Sequence, residues 1–583
     1  MRGALTHRWL PLAVAITACL LMAPAVRGGF QLDDHFQRLR LLGHGDPSIQ
    51  LFVFADGDVA KNARAMDAGQ LPWWAAPRFR HASLRYLSVL TMQLDFRLWP
   101  ERPGWMHLHS LVWLGVVVLA AAFFYRKVLG ATWAAGLAAL LYAVDDAHAR
   151  PAAYLANRNA LIASVFGVLS AVWLARSRER NDRCAWGSGA CLALGLASGE
   201  MALSAAAYLL AYAIFLDGRS TSTRVRTLVP SGVVLLLWAV AYRLGGFGAA
   251  ESGFYRDPLA DPVAYAQGAL AHIPVLILGQ WTPVPSDIAS GVPPDSATAL
   301  ILRWSGVAVI GLLVGLFAPL VRRDRIARFC ALGAVLSLLP IAATFPQDRL
   351  LFFVGLGSMG LLARLVYALL AEPSLLPATR WWRVPACGGV ALLLIVHLVL
   401  APLLARLGLE FDKRVSTRML SAIASVPNDS VIAQQDLILV NPPDFVYSVG
   451  AISAVREVAG LPLPRRMRAL AGAPTAMEIT RSDPRSVRVH LDDGLFNVPM
   501  TRYYRAPELH FTRGERVELT GFTVEIAGLN AAGDPNELVF HFAVPLEDPS
   551  LRWLAWRDGV YVPWKPPALG ESTRLAAPKG IYE

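Results

Sequence analysis

The chain has 583 residues, of which 55% are apolar and only 17% charged, with a mean hydropathy of +0.43. That composition excludes a soluble enzyme. The formal net charge of +11 does not point to nucleic acid, because the basic residues fall mainly in short loops between apolar segments, where they report topology.

A bilayer core asks for about 20 apolar residues per helix, fewer where a helix is buried among neighbours. On that measure eleven membrane helices are predicted, at 10–25, 105–125, 131–144, 160–175, 185–196, 201–216, 228–244, 299–320, 327–345, 350–370 and 384–407. A further apolar stretch, 263–281, contains His272, Pro274 and Gln280 and reads as an interfacial or re-entrant helix. The first run follows Arg8 and ends at Ala23-Pro24-Ala25, a layout that a cleaved signal peptide shares; it is read as retained. Lys and Arg recur at every second loop: Arg2 and Arg8, Arg126 and Lys127, the group Arg176, Arg178, Arg180 and Arg183, then Arg219 to Arg226, Arg322 to Arg328, and Arg380 with Arg383. The alternation places the N-terminus inside and everything after about Gly408 outside.

Two regions follow, a transmembrane domain at 1–407 with a long first outer loop at 28–104, and an extracytoplasmic domain at 408–583. In the second, Asp436 to Val440 followed by Asn441-Pro442-Pro443 predicts a strand and a turn, and Phe445 to Val458 a helix. Ser486 to His490, Arg516 to Ile526 and Glu537 to Val544 alternate apolar and polar residues at period two, as half-buried strands do. The five cysteines, Cys19, Cys184, Cys191, Cys330 and Cys387, lie in or beside apolar segments without paired spacing, which predicts neither disulfides nor a zinc site.

The most informative stretch is Leu32-Asp33-Asp34-His35-Phe36, just beyond the first span. Carboxylates at the mouth of a membrane helix are costly unless solvated or used. The competing reading is that both acids cap the helix that follows, because Asp before a helix satisfies free amides. Asp145 and Asp146, with His148, form a second acidic group on the same side; the alternative is a polar loop holding two helices apart. Arg158 and Arg349 each begin an apolar span, where a guanidinium can grip phosphate oxygens at two points or merely snorkel to lipid head groups. Glu200, between Gly199 and Met201 at a span entrance, is placed to pair with one of these arginines.

In this order the motifs resemble the GT-C superfamily of integral membrane glycosyltransferases, in particular the branch with the protein O-mannosyltransferases and TMTC-type proteins. The resemblance runs through Asp33-Asp34-His35 and the amphipathic loop helix at Arg80 to Trp99. It continues with Trp105-Met106-His107-Leu108, His148 and Arg158 at the family's spacing, Ser198-Gly199-Glu200-Met201, and Gln347-Asp348-Arg349-Leu350. Arg150 stands where the family usually has Glu, Ser110 where it has Asn and Gly199 where it has Lys, and there is no TPR array. The resemblance implies a GT-C-like polytopic α-helical membrane protein with a C-terminal mixed α/β domain. Its activity would be transfer of a sugar from a polyprenyl-phosphate donor to a protein, lipid or glycan acceptor at the outer membrane face. In a bacterial cell that is the periplasmic side of the inner membrane.

Such a donor already carries a good leaving group, so direct displacement needs chiefly one carboxylate to take the acceptor's proton. Asp33, Asp34, Asp145 and Asp146 are the candidate catalytic acids, and His35, His148, Arg158, Glu200 and Arg349 the candidate substrate-binding residues. A divalent cation could be held by paired acids through oxygen ligands, although no metal-ligand spacing is present. Three rival readings remain open: a surface-polysaccharide polymerase or ligase, a membrane transporter, and a degenerate, non-catalytic member whose tail binds a partner. Against the transporter, the charges cluster at loops and span ends rather than at the bilayer midplane, and no inverted repeat is visible.

Overall fold

The structure is a computed structural model and describes residues 2–44, 48–177 and 183–582; Arg178 and Arg180 of one expected basic loop lie outside them. Among the described residues eight helices are long and apolar enough to cross a membrane, including Pro103–Leu129, Thr221–Leu244, Ala297–Arg323 and Arg380–Ala424. Three shorter apolar helices, Trp133–Ala143, Cys184–Leu196 and Glu200–Phe215, pack among them with Arg325–Ile341. Their shared core is built largely of alanine, leucine and aromatic side chains drawn from almost every helix. Small residues let helix backbones approach closely where lipid supplies no hydrophobic drive for association.

The basic loops meet at one end of this bundle. Arg126 donates to the His7 carbonyl at 2.7 Å, Arg219 to the Ser177 hydroxyl at 3.4 Å and Arg323 to the Ser374 carbonyl at 3.5 Å. The opposite end, here the loop face, carries the long connections. Pro262–Trp281, expected as an interfacial or re-entrant helix, is one of the eight helices long and apolar enough to cross a membrane, and its last residue, Trp281, packs against Phe317 and His397 inside the bundle. Along its length Tyr265 reaches the Leu339 carbonyl (2.7 Å), His272 the Ala342 carbonyl (3.2 Å) and Gln280 the Asp145 carboxylate (3.1 Å), all at loop-face helix ends.

The first long loop does not form one helix over 80–99. Arg80–Ala82 is a strand, paired antiparallel with Val53–Asp56 on one side and Gly248–Ala250 on the other, and the helix begins only at Tyr86 and runs to Leu98. This small sheet ties the first loop to the loop before Pro262.

The last membrane helix continues without a break to Ala424, so the expected boundary at 407 falls inside it. Beyond it, two sheets pack together. Asp436–Leu439 lies between Leu551–Arg557 and Arg466–Ala469, parallel to both, with Val560–Pro563 at the edge. A six-stranded antiparallel sheet is centred on Ser486–Leu491 and Pro535–Phe542. The expected strand at 516–526 is a hairpin, Arg516–Leu519 and Phe522–Leu529, because Gly521 turns the chain at φ +72°.

The core of this C-terminal domain is not its own. Trp73, Trp74 and Phe79 of the first loop are buried with Ile438, Phe445, Met467 and Phe540, and the Trp73 indole donates to the Leu470 carbonyl at 3.3 Å. Burying aromatic rings of this size removes roughly 150–250 Å2 each from water, so the two regions stabilise one another across a common interior.

Candidate active site

A cavity of about 160 Å3 lies where the loop face meets the C-terminal domain. The bundle and its loops contribute Asp33, His81, Tyr154, Tyr255 and Arg349 to its wall, and the C-terminal domain contributes Tyr503.

Asp33 and Asp34 both fall in the first turn of the helix Leu32–Leu41, where the exposed amides favour acids. A helix turns by about 100° per residue, so neighbouring side chains diverge. Asp33 reaches the cavity. The Tyr154 hydroxyl accepts its main-chain N–H at 3.0 Å, and burial raises its carboxyl above the usual range against the opposing pull of Tyr154, Arg349 and Arg85. Asp34 is turned away and buried. One carboxylate oxygen accepts the Gln31 N–H at 2.9 Å and the other the Ala156 N–H at 2.7 Å, which fastens the first loop to the second. Burial pushes this acid up to about 7. His35 is buried against Phe30 rather than at the cavity, and burial holds it down to about 4.

Of the arginines singled out by sequence, Arg349 lines the cavity and Arg158 does not. Arg349 belongs to the single turn Asp348–Leu350, and its Nε donates to the Gln347 side chain at 2.5 Å. Its terminal nitrogens have no hydrogen-bond partner among the described residues. Arg158 is 1% exposed and pairs with Asp95 at 2.5 Å while donating to the Ser110 hydroxyl at 2.9 Å and the Met106 carbonyl at 2.7 Å. This is an internal ion pair with its donors satisfied, so Arg158 is not placed to touch a cavity ligand. Glu200 pairs with Arg85 at 2.9 Å, not with Arg158 or Arg349, and also accepts from the Tyr242 hydroxyl at 3.3 Å. His148 is buried between Tyr142 and Phe352.

Asp145 and Asp146 belong to an acidic group that sequence spacing alone did not assemble, with Asp287 and Asp348. Asp145 accepts the Ala147 N–H at 3.0 Å and the Gln280 amide at 3.1 Å. Asp348 accepts from the Ser286 N–H and hydroxyl at 3.0 and 2.7 Å, and Asp287 accepts the Asp348 N–H at 3.0 Å. Burial raises Asp145, Asp146 and Asp348, and repulsion from neighbouring carboxylates raises Asp146 and Asp348 further. The group sits behind the cavity wall, where Arg150 bridges Asp287 at 2.9 Å and Asp412 at 3.1 Å. Among the described residues no three His, Cys, Asp or Glu side chains are arranged to hold a metal ion. The Asp33–Asp34 pair does not fit a cation either, because both Asp34 oxygens are taken by amides.

The residues that sequence reasoning did not single out are Tyr154, His81, Tyr255, Asp412 and the C-terminal Tyr447, Tyr503 and Tyr582, all on the cavity wall. Arg150 had been noted only as a departure from a motif. Nothing local marks the tyrosines, which reach the wall only through contacts between distant parts of the chain.

The chain is similar in structure to the oligosaccharyltransferase of Archaeoglobus fulgidus, crystallised with a tethered acceptor peptide. The TM-score is 0.39 and the identity 11%, over 79% of this chain and 64% of that one. It is also similar to ArnT from Cupriavidus metallidurans bound to undecaprenyl phosphate (TM-score 0.34, 12% identity, 79% of this chain and 89% of that one). A third similarity is to the arabinofuranosyltransferase AftD from Mycobacteria (TM-score 0.35, 14% identity, 92% and 41%). The chain thus spans less than two thirds of the length of the archaeal oligosaccharyltransferase. No family model and no curated protein matches it.

Proposed function

We propose that this protein is a GT-C-type membrane glycosyltransferase that moves a sugar from a polyprenyl-phosphate carrier to an acceptor at the outer membrane face. The observation that carries this reading is that Asp33 and the unpaired Arg349 share one cavity at the loop face of an apolar helix bundle. The neighbouring arginines Arg85, Arg150 and Arg158 are each neutralised by a carboxylate, so Arg349 is the guanidinium left for an anion.

In the proposed reaction the acceptor oxygen attacks the anomeric carbon while the carbon–oxygen bond to phosphate breaks, its electron pair leaving with the phosphate. Asp33 takes the acceptor's proton. A carboxyl raised by burial is a stronger base than an ordinary aspartate, which suits that role near neutral pH. Tyr154 positions Asp33, and Arg349 offsets the charge that develops on the departing phosphate. Asp34, Arg158 and Glu200 serve as supports: each holds loops or helices in register rather than meeting substrate. In a bacterial cell the acceptor would be met on the periplasmic side.

The test is a purified protein in lipid nanodiscs supplied with a panel of polyprenyl-phosphate sugars, with liberated polyprenyl phosphate as the readout. Release that requires Asp33 is expected. A panel of hexosyl and pentosyl donors that all survive intact, with protein shown to be folded, would remove the reading.

A further inference from the structure

One contact in the cavity joins the two domains through a titratable ring. His81 lies in the middle of the strand Arg80–Ala82, sandwiched between Phe54 (5.2 Å between ring centres) and Tyr255 (5.0 Å). Its Nδ1 hydrogen bonds with the hydroxyl of Tyr503. Tyr503 is itself immobilised by two loops of the first domain: Gly253 donates to the Arg502 carbonyl at 2.9 Å, Ser252 to the Tyr503 carbonyl at 2.7 Å and Ala76 to the Tyr504 carbonyl at 2.8 Å. The approach is tight enough that a Cβ on Gly253 would lie 2.7 Å from the Arg502 oxygen.

The imidazole is neutral, because burial and the nearby Arg85 and Arg349 hold it down to about 4. A neutral ring has one donor and one acceptor nitrogen. The Tyr503 phenol has no other acceptor among the described residues; with its proton given to Nδ1, the ring proton sits on Nε2. Nε2 has no hydrogen-bond partner among the described residues, and His81 lines the cavity. The cavity therefore presents the terminal nitrogens of Arg349 and the Nε2–H of His81, several donors without acceptors. A phosphoryl group, with several acceptor oxygens, satisfies that arrangement.

We propose that Tyr503 of the C-terminal domain fixes His81 as its Nε2–H tautomer, and that His81 and Arg349 jointly bind the phosphoryl oxygens of a phosphate ester. The inference rests on the proposed function insofar as that ester is the lipid-linked donor. Tyr503 is then a positioning residue, and the C-terminal domain is part of the donor site.

The experiment uses the full chain in nanodiscs and measures binding of a polyprenyl phosphate and, separately, of inorganic phosphate. Tyr503→Phe keeps the ring but loses the hydroxyl. It should weaken polyprenyl phosphate about tenfold to a hundredfold, the range for losing one hydrogen bond to a charged group, whereas Tyr504→Phe should change nothing. Nitrogen-15 histidine spectra of the wild type, assigned by subtracting His81→Gln, should show the Nε2–H form. Unchanged affinity in Tyr503→Phe, or a wild-type ring protonated at Nδ1, overturns the proposal and leaves the glycosyltransferase reading intact. Binding of inorganic phosphate with no affinity for the polyprenyl ester supports the anion site and removes the lipid-linked donor. If Tyr503→Phe does not fold, the wild-type spectrum alone decides the tautomer.

Discussion

Asp33 and Asp34 are neighbours in sequence, yet Asp33 opens onto the cavity while both carboxylate oxygens of Asp34 are occupied by the main-chain amides of Gln31 and Ala156. The helix turn between them separates a carboxyl that faces the cavity from one that clasps two loops. Either acid alone suits both roles by residue type. Their partners decide between the roles, and they give the two substitutions different expected outcomes.

Asp33→Asn should lower transfer about a hundredfold to ten-thousandfold, the usual cost of losing a general base, with little loss of stability. In the wild type the rate should rise with pH as Asp33 ionises, at a pH above the ordinary carboxylate range because burial raises it. Asp34→Asn should instead lower stability by about 1–3 kcal/mol through its unsatisfied amides, with activity retained in the folded fraction. Steady-state rates and thermal unfolding of the two variants separate these cases, and equal activity in Asp33→Asn and wild type would remove Asp33 from the mechanism.

Arg349→Lys preserves charge but not the planar two-point contact with phosphate. The expected result is a raised KM for the donor, about tenfold, with acceptor KM unchanged. A snorkelling arginine tolerates lysine, so unchanged donor kinetics would place the phosphate elsewhere.

Arg158→Ala leaves the buried Asp95 with only His109, at 2.6 Å, as a partner, and breaking a buried ion pair costs about 3–5 kcal/mol. Thermal unfolding should show that loss, while donor KM in the surviving folded protein stays at the wild-type value. A large change in donor KM without a stability loss would return Arg158 to the binding site.

Stability should fall as pH rises above about 7. An unfolded aspartate releases its proton near pH 4, whereas burial holds that of Asp34 to about 7 and also raises Asp145, Asp146 and Asp348. Through these acids the folded protein binds more protons than the unfolded chain, whereas His35 and His81, held down to about 4, act in the opposite sense up to about pH 6.5, where unfolded histidine titrates. Above about pH 7 the acids dominate, so raising the pH further favours unfolding. The Tm in nanodiscs should therefore be lower at pH 8 than at pH 7, and Asp146→Asn should narrow the difference. A wild-type Tm that is equal or higher at pH 8 would contradict the buried protonated group.

Local patterns carried much of the architecture. Runs of about 20 apolar residues mark the bundle, the Lys and Arg loops mark one of its ends, and period-two alternation marks strands such as Ser486–Leu491 and Pro535–Phe542, because helix and strand periodicities are written within a few residues. Asp33 and Arg349 were visible in the same way, as charges set at the mouths of apolar spans. The cavity that joins them was not. Arg150 meets Asp412 across 262 positions and His81 meets Tyr503 across 422, and a sequence pattern has no period at those separations. Only packing of the first loop into the core of the C-terminal domain brings such residues together. The same packing decides that Arg158 is spent on Asp95 and that Arg349 is left free, since a guanidinium's role depends on which carboxylates the fold places within reach.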